Sequence, residues 1–178
     1  MLTISQKTMK QFTKNDHYSL EHVLYETSGA LVATDGTQLV KIYIEPIGTL
    51  SENVLLPLEC FPSKTGYTTN IEADGNGNYI VSEFDKRNNP VGKRLVPICE
   101  IETNQFPDYN KVFPSSEPAL PSAKIKLDTS RLLAFDALKA ELVGKKTEGV
   151  ELTFYSETSP IQIDLNGYFT GLLAPMRR

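Results

Sequence analysis

Residues 123–174 hold one capped helix followed by three short β-prone runs, and that order is the strongest constraint in the chain. Asp128 or Ser130 can start the helix, because a short oxygen-bearing side chain accepts from the free amides of a first turn. The helix is expected to run to about Val143, where Gly144 stops it. Strands are expected at Val150–Tyr155, Ile161–Leu165 and Tyr168–Ala174. Asn166 and Gly167 join the last two, and such a pair reaches the positive φ that a two-residue hairpin requires. A leading strand at Ala123–Leu127 completes a βαβββ unit.

The same order occurs twice more with almost no identity between copies. The first unit has a faint leading strand at Leu2–Ile4 and a helix over Ser5–Lys14, with Met9 and Phe12 facing the core. Its strands are His22–Glu26, Ala30–Thr34 and Gln38–Ile44, with Asp35 and Gly36 in a tight turn. The second unit has a brief apolar lead at Val54–Leu56. Pro62 limits any helix at 58–64 to a short or broken one. Its strands are Tyr67–Ala73, Asn78–Phe84 and Lys93–Glu102. Four prolines between Asn104 and Pro121 mark a linker. The fold class is therefore α+β, built of repeated βαβββ units with helices on one face of antiparallel sheets. Residues 1–104 form a domain of two units, 105–121 the linker, and 122–178 a half domain. Helix 128–143 carries apolar side chains on two sides, Phe135, Leu138 and Leu142 against Leu133, Ala137 and Ala140, and is expected to pack between two partners.

Composition narrows the functional classes. The net charge of −4 excludes a strongly basic nucleic-acid binder as a description of the whole chain. Cys60 and Cys99 fit neither a disulfide framework nor a cysteine zinc site, and read as small buried hydrophobes. No apolar run is long enough to span a membrane, and the N-terminus lacks an apolar signal core. The chain reads as soluble, reduced and cytoplasmic, with no membrane partner.

No catalytic constellation assembles. Asp74-Gly-Asn-Gly-Asn78 imitates half a calcium loop, but Tyr79 stands where that loop needs glycine, and the flanks are strands. It reads as a hairpin turn. His17 and His22 lack an acid cluster to complete a metal site. No nucleophile, base and orienting group can be matched, so no enzyme activity, cofactor or metal is expected.

Three segments together resemble one family, the bacterial DNA polymerase sliding clamp (the DNA polymerase III beta subunit). Residues 31–40, LVATDGTQLV, resemble its VATDGHRLA strand-turn-strand. Residues 105–114, QFPDYNKVFP, resemble its FPDYRRVLP element between the middle and last domains. The end, GLLAPMRR at 171–178, resembles its VVMPMRL tail, and residues 130–139 resemble its last helix. Residues 1–104 then correspond to the family's middle domain, and 122–178 to the second half of its last domain.

The resemblance implies a homo-oligomeric ring around duplex DNA, with helices lining the hole, acting as a polymerase processivity factor. It also implies a small apolar pocket for peptides of DNA polymerase or other clamp-binding partners. The matching positions are Thr34, Gly36, Thr37, Gln38 and Leu39 of the turn, Pro114 of the linker, and Leu172, Leu173, Ala174, Pro175 and Met176 of the tail. Thr37 and Gln38 replace the family's His-Arg, and Ala174 replaces a methionine, giving a less charged and roomier pocket. Four chains of three units match the family's ring of twelve units, which suggests a tetramer closed through the edges of the terminal strands. Lys7, Lys10 and Lys14 share a helical face and are the first candidates for DNA-facing residues, followed by Arg131 and Lys139. Such contacts would go to phosphates. The alternative is an inhibitory, clamp-mimicking interaction module that binds the same peptides without encircling DNA.

Overall fold

The structure, a computed structural model, describes residues 1–14, 18–114, 126–144, 149–156 and 158–176. Ten strands and two α-helices lie among them. The strands are β1 Val23–Glu26, β2 Ala30–Thr34, β3 Gln38–Tyr43, β4 Val54–Leu56, β5 Thr68–Ala73, β6 Asn78–Phe84, β7 Pro90–Pro97, β8 Glu151–Thr153, β9 Ile161–Leu165 and β10 Phe169–Leu173. The helices are α1 Gln6–Met9 and α2 Thr129–Val143.

Each expected triplet of strands forms an antiparallel meander. The leading segments, however, are exchanged. Leu2 bridges to Thr69 of the second unit's β5, while β4, which leads that unit, pairs with β1 of the first. β10 then pairs with β3, so the first and third units share a seven-stranded sheet ordered β4-β1-β2-β3-β10-β9-β8. β5-β6-β7 form a separate sheet. The C-terminal strand thus lies inside a sheet, not at an edge as expected. The edges are β4 and β8 of the large sheet and β5 and β7 of the small one.

The core lies between the two sheets, with both helices in it. It joins Val23, Tyr25, Leu31 and Ile42 of the large sheet, Ile71, Val81 and Val96 of the small one, and Met9, Phe12, Phe135 and Leu138 of the helical segments. The helices therefore cover one face of the large sheet. The linker covers the other, where Phe106 and Tyr109 pack on Leu24, Val32, Leu39 and Leu172. Because both faces are covered, β2 is buried along its whole length.

Local boundaries differ from the sequence reading for physical reasons. The first helix is short: α1 continues only as a 3₁₀ turn at Lys10–Phe12, and Thr13 is already extended. There the Lys14 amide donates to the Leu20 carbonyl instead of prolonging the helix. Ser5 caps α1 as anticipated, its hydroxyl accepting from the Thr8 amide. A 3₁₀ turn at Leu58–Cys60 ends at extended Phe61, the conformation a residue before proline prefers. β7 spans 90–97 rather than 93–102, because β6 begins at Asn78, opposite Pro97, and past that pair the Ile98 amide bonds into the β5–β6 turn, to the Gly77 carbonyl at 2.9 Å. Of the expected strand at 123–127, residues 123–125 lie outside the described residues, and 126–127 are not in a strand. α2 has the expected cap at Asp128 and stop at Gly144, which has φ +72°. It buries Ala134, Phe135 and Leu138, but Leu133 stays 66% exposed, so the second apolar side has no full partner.

Gly171 of β10 shows why helix and sheet meet closely. A Cβ at this position would overlap the Phe135 ring, which itself stacks near Phe12 and Phe169. Only glycine admits the ring there. Asp74 folds its own turn, its carboxylate accepting from the Asn76 and Asn78 amides and the Asn78 side chain. Cys60 is fully buried, and burial pushes its thiol up to about 12, whereas Cys99 is only half-buried.

Candidate functional site

The β2–β3 turn is organised by one carboxylate. Asp35 Oδ1 accepts from the Thr37 amide at 2.7 Å, the Thr37 hydroxyl at 2.7 Å and the Gln38 amide at 2.8 Å. Its Oδ2 meets Arg131 Nη1 of α2 at 2.8 Å, and the same guanidinium also donates to the Thr37 hydroxyl. Burial raises the Asp35 pKa, but these donors outweigh it and hold the group below its ordinary value. Thr34 completes the turn by donating to the Gln38 carbonyl at 2.7 Å and accepting from the Gly36 amide at 3.1 Å. Gly36 sits at φ +86°, which suits glycine.

The tail and the linker close on this turn. Leu172 of β10 stands opposite Leu39, and the Ala174 amide donates to the Thr37 carbonyl at 3.0 Å. The linker forms a 3₁₀ turn at Tyr109–Val112. Its Tyr109 hydroxyl donates to Glu26 Oε1 at 2.6 Å and accepts from Lys41 Nζ at 2.9 Å, while Lys41 and Glu26 pair at 3.0 Å. Burial, and then the Glu26 bond, push the Tyr109 pKa up. For Lys41, burial lowers the pKa, but Tyr109 and Glu26 outweigh it and the net shift is upward. This cluster holds the linker against β1 and β3.

Between the three segments lies a cavity of about 190 Å³. Its walls are Thr34, Gly36, Thr37, Gln38 and Leu39 from the turn, Leu172 and Ala174 from the tail, and Pro107, Asp108, Tyr109 and Val112 from the linker, with Leu20 and Pro160 at the margins. The lining is mainly apolar, with Asp108 paired to Lys111 at 3.0 Å.

Seven of the eleven pocket positions inferred from the sequence are brought together here. Leu173 is not among them. Strand alternation turns it inward to the core, while Leu172 faces the linker. Pro114 and Pro175 are half-buried away from the lining, and Met176 is exposed with its amide on the Lys126 carbonyl. Pro107, Asp108, Tyr109 and Val112 were missed, although they belong to the linker segment that carried the resemblance. Leu20 and Pro160 lie in segments with no motif, and no sequence signal marks them.

The basic candidates are dispersed among different environments. Lys7 and Lys10 are exposed on the α1 segment, and Lys14 is half-buried. Arg131 is held by Asp35 and Asp128, and Lys139 pairs with Asp136 at 3.2 Å. No helix among the described residues is long and apolar enough to cross a membrane. Among the same residues, no group of three or more His, Cys, Asp or Glu could hold a metal ion.

No family model matches the sequence, and no curated protein does. Solved structures do match the fold. The Helicobacter pylori beta clamp, solved bound to a DNA ligase peptide, aligns over 97% of this chain with a TM-score of 0.61 and 15% identity. The fold is that of the bacterial sliding clamp. The Thermotoga maritima DNA polymerase III beta subunit aligns with a TM-score of 0.58 at 17% identity, and the Caulobacter crescentus pol III beta with 0.60 at 13%. The clamp fold is thus shared over 97–98% of this chain, which spans only 62–65% of the length of those clamps.

Proposed function

We propose that this chain is a sliding-clamp-like processivity factor, a homo-oligomeric ring around duplex DNA that tethers a polymerase through a short peptide. The observation that carries the reading is the apolar cavity assembled jointly by the hairpin turn, the linker and the tail on a clamp fold. A small apolar cleft with few polar groups suits an extended peptide anchored by one or two side chains. The neighbour bound to a DNA ligase peptide supports a peptide as occupant. Lys7 and Lys10, exposed on a chain with net charge −4, suit weak phosphate contacts that allow sliding. The proposed site is cytoplasmic and needs no cofactor.

The second reading is a peptide-binding, clamp-mimicking module without a ring. It is favoured by the engagement of Arg131 and Lys139 with carboxylates, which leaves fewer cations for DNA.

Primer extension and peptide binding separate the readings. Val112→Glu places a charge at a cavity wall that is 48% exposed, so the fold tolerates it. It should abolish capture of polymerase peptides and processive synthesis together. Lys7→Glu with Lys10→Glu should reduce processivity and the salt slope of DNA association, by about one unit per lost phosphate contact, with peptide binding intact. If the double variant changes nothing while Val112→Glu abolishes peptide binding, the module without a ring is the correct description.

A further inference from the structure

Inside this chain, units join in two ways. The first strand of a complete unit is flanked by the segment that leads the other: β1 by β4, and β5 by Leu2, whose amide and carbonyl each bond Thr69 at 2.9 Å. The last strand of one unit pairs with the last strand of another, as β3 does with β10. Exchange joins units in twos, so three units leave one without a partner. Among the described residues, β7, a last strand, and β8, a first strand, each keep an open edge. The two ends are of different kinds, so one cannot complete the other. In a second copy, the unit lacking the partner that β8 lacks is again the third. We propose that the third units of two copies pack on each other about a twofold axis, through the β8 edge and the adjoining flank of α2. This inference rests on the homo-oligomer proposed above and names a surface through which it forms.

The flank of α2 suits a copy of itself. Glu141 turns toward the first unit, where it bonds Ser5 and Thr8. Leu132, Asp136, Lys139 and Val143 form a stripe about half a turn round the helix from Glu141, at 3.6 residues per turn. Their spacing is that of neighbours on one helical face. Leu132 and Val143, at its ends, are half-buried against the core. The middle holds one acid and one base, with the Asp136 side chain 68% exposed. Read antiparallel, the stripe is self-complementary. Leu132 meets the partner's Val143, Asp136 meets the partner's Lys139, and the twofold axis makes each contact twice. On the same side, away from the first unit, Val150 and Leu152 are 37% and 41% exposed at the open edge of β8. Unpaired strand backbone and exposed apolar side chains both gain from being covered.

Light scattering of the full chain over a concentration series reads the contact. Asp136→Lys and Lys139→Asp each set like charges together twice, and each should weaken self-association about tenfold. Mixed one to one, the two variants restore opposite charges across the axis and should assemble like wild type. Each variant loses the same internal Asp136–Lys139 pair, so rescue on mixing reports the contact between chains and not the pair within one. In wild type, deuterium uptake by residues 150–155 should fall as concentration rises through the assembly transition. This second measurement needs no variant and decides the matter if either variant does not fold. Three results would overturn this surface and leave the homo-oligomer standing. They are an oligomer that neither variant weakens, two folded variants that fail to assemble together, and β8 uptake independent of concentration. A wild-type monomer at every concentration would overturn the homo-oligomer and this surface together, and assign the β8 end to a different protein.

Discussion

Glu141, near the end of α2, accepts from both the amide and the hydroxyl of Ser5, each at 2.6 Å. The same carboxylate takes the Thr8 hydroxyl at 2.6 Å and the Thr65 hydroxyl at 2.9 Å. It thus ties the third unit to the first turn of α1 and to the loop before β5. Burial raises its pKa, but the bonds from Ser5, Thr8 and Thr65 outweigh that and lower it from 4.5. A lowered folded pKa contributes stability that is complete above the unfolded value and is lost as pH falls through the folded one. Glu141→Gln should therefore lower the unfolding free energy by about 1–3 kcal/mol at neutral pH. The deficit should shrink below pH 4.5. Urea titrations at neutral pH and at about pH 3 check this, and a deficit independent of pH would contradict it.

Gly171→Ala inserts a methyl into the Phe135 ring, which is only 2% exposed. The ring cannot yield easily, because Phe12 and Phe169 flank it. The expected loss is about 1–3 kcal/mol, the range for an overpacked core. Gly36→Ala is the contrasting case: its Cβ meets nothing within 4 Å, so any cost comes from φ +86° alone. Thermal melts of the two variants compare crowding with backbone strain.

Tyr109→Phe removes the hydroxyl that links Glu26 and Lys41 and leaves their direct ion pair at 3.0 Å. Stability should fall by about 1 kcal/mol. Binding of a cavity peptide should weaken too, because Tyr109 forms part of the linker wall. Fluorescence anisotropy and chemical denaturation, measured on the same sample, test the two effects together. Unchanged peptide affinity would show that the cluster serves folding only.

Ring closure predicts a tetramer of about 79 kDa, four times the 19.8 kDa chain. β7 and β8 offer unpaired edges for it, with Leu95 65% exposed on the first and Leu152 41% on the second. Light scattering on a sizing column, over a concentration series, reads the mass directly. A monomer at every concentration would rule out the ring and leave the peptide-binding module.

Much of the site was legible because it lies in short contiguous motifs. The turn at Asp35 and Gly36 needs a side-chain acceptor and a positive φ, and both are written locally. The tail was only half legible. A tail match names Leu172 and Leu173 alike, yet in a strand neighbouring side chains point to opposite faces, so only one lines the cavity. The linker was read as irregular, and nothing in its sequence shows that Tyr109 finds Glu26 and Lys41.

The chain's own sequence determined its elements: the Ser5 and Asp128 caps, the Gly144 stop and the three-strand meanders. These depend on hydrogen bonds and φ preferences within a few residues. Tertiary structure decided how the elements were shared. It exchanged the leading segments between the first two units, placed β10 beside β3, and set Glu141 on Ser5. Those choices are global, because a strand or a half-buried carboxylate such as Glu141 is stable only where distant groups satisfy its hydrogen bonds.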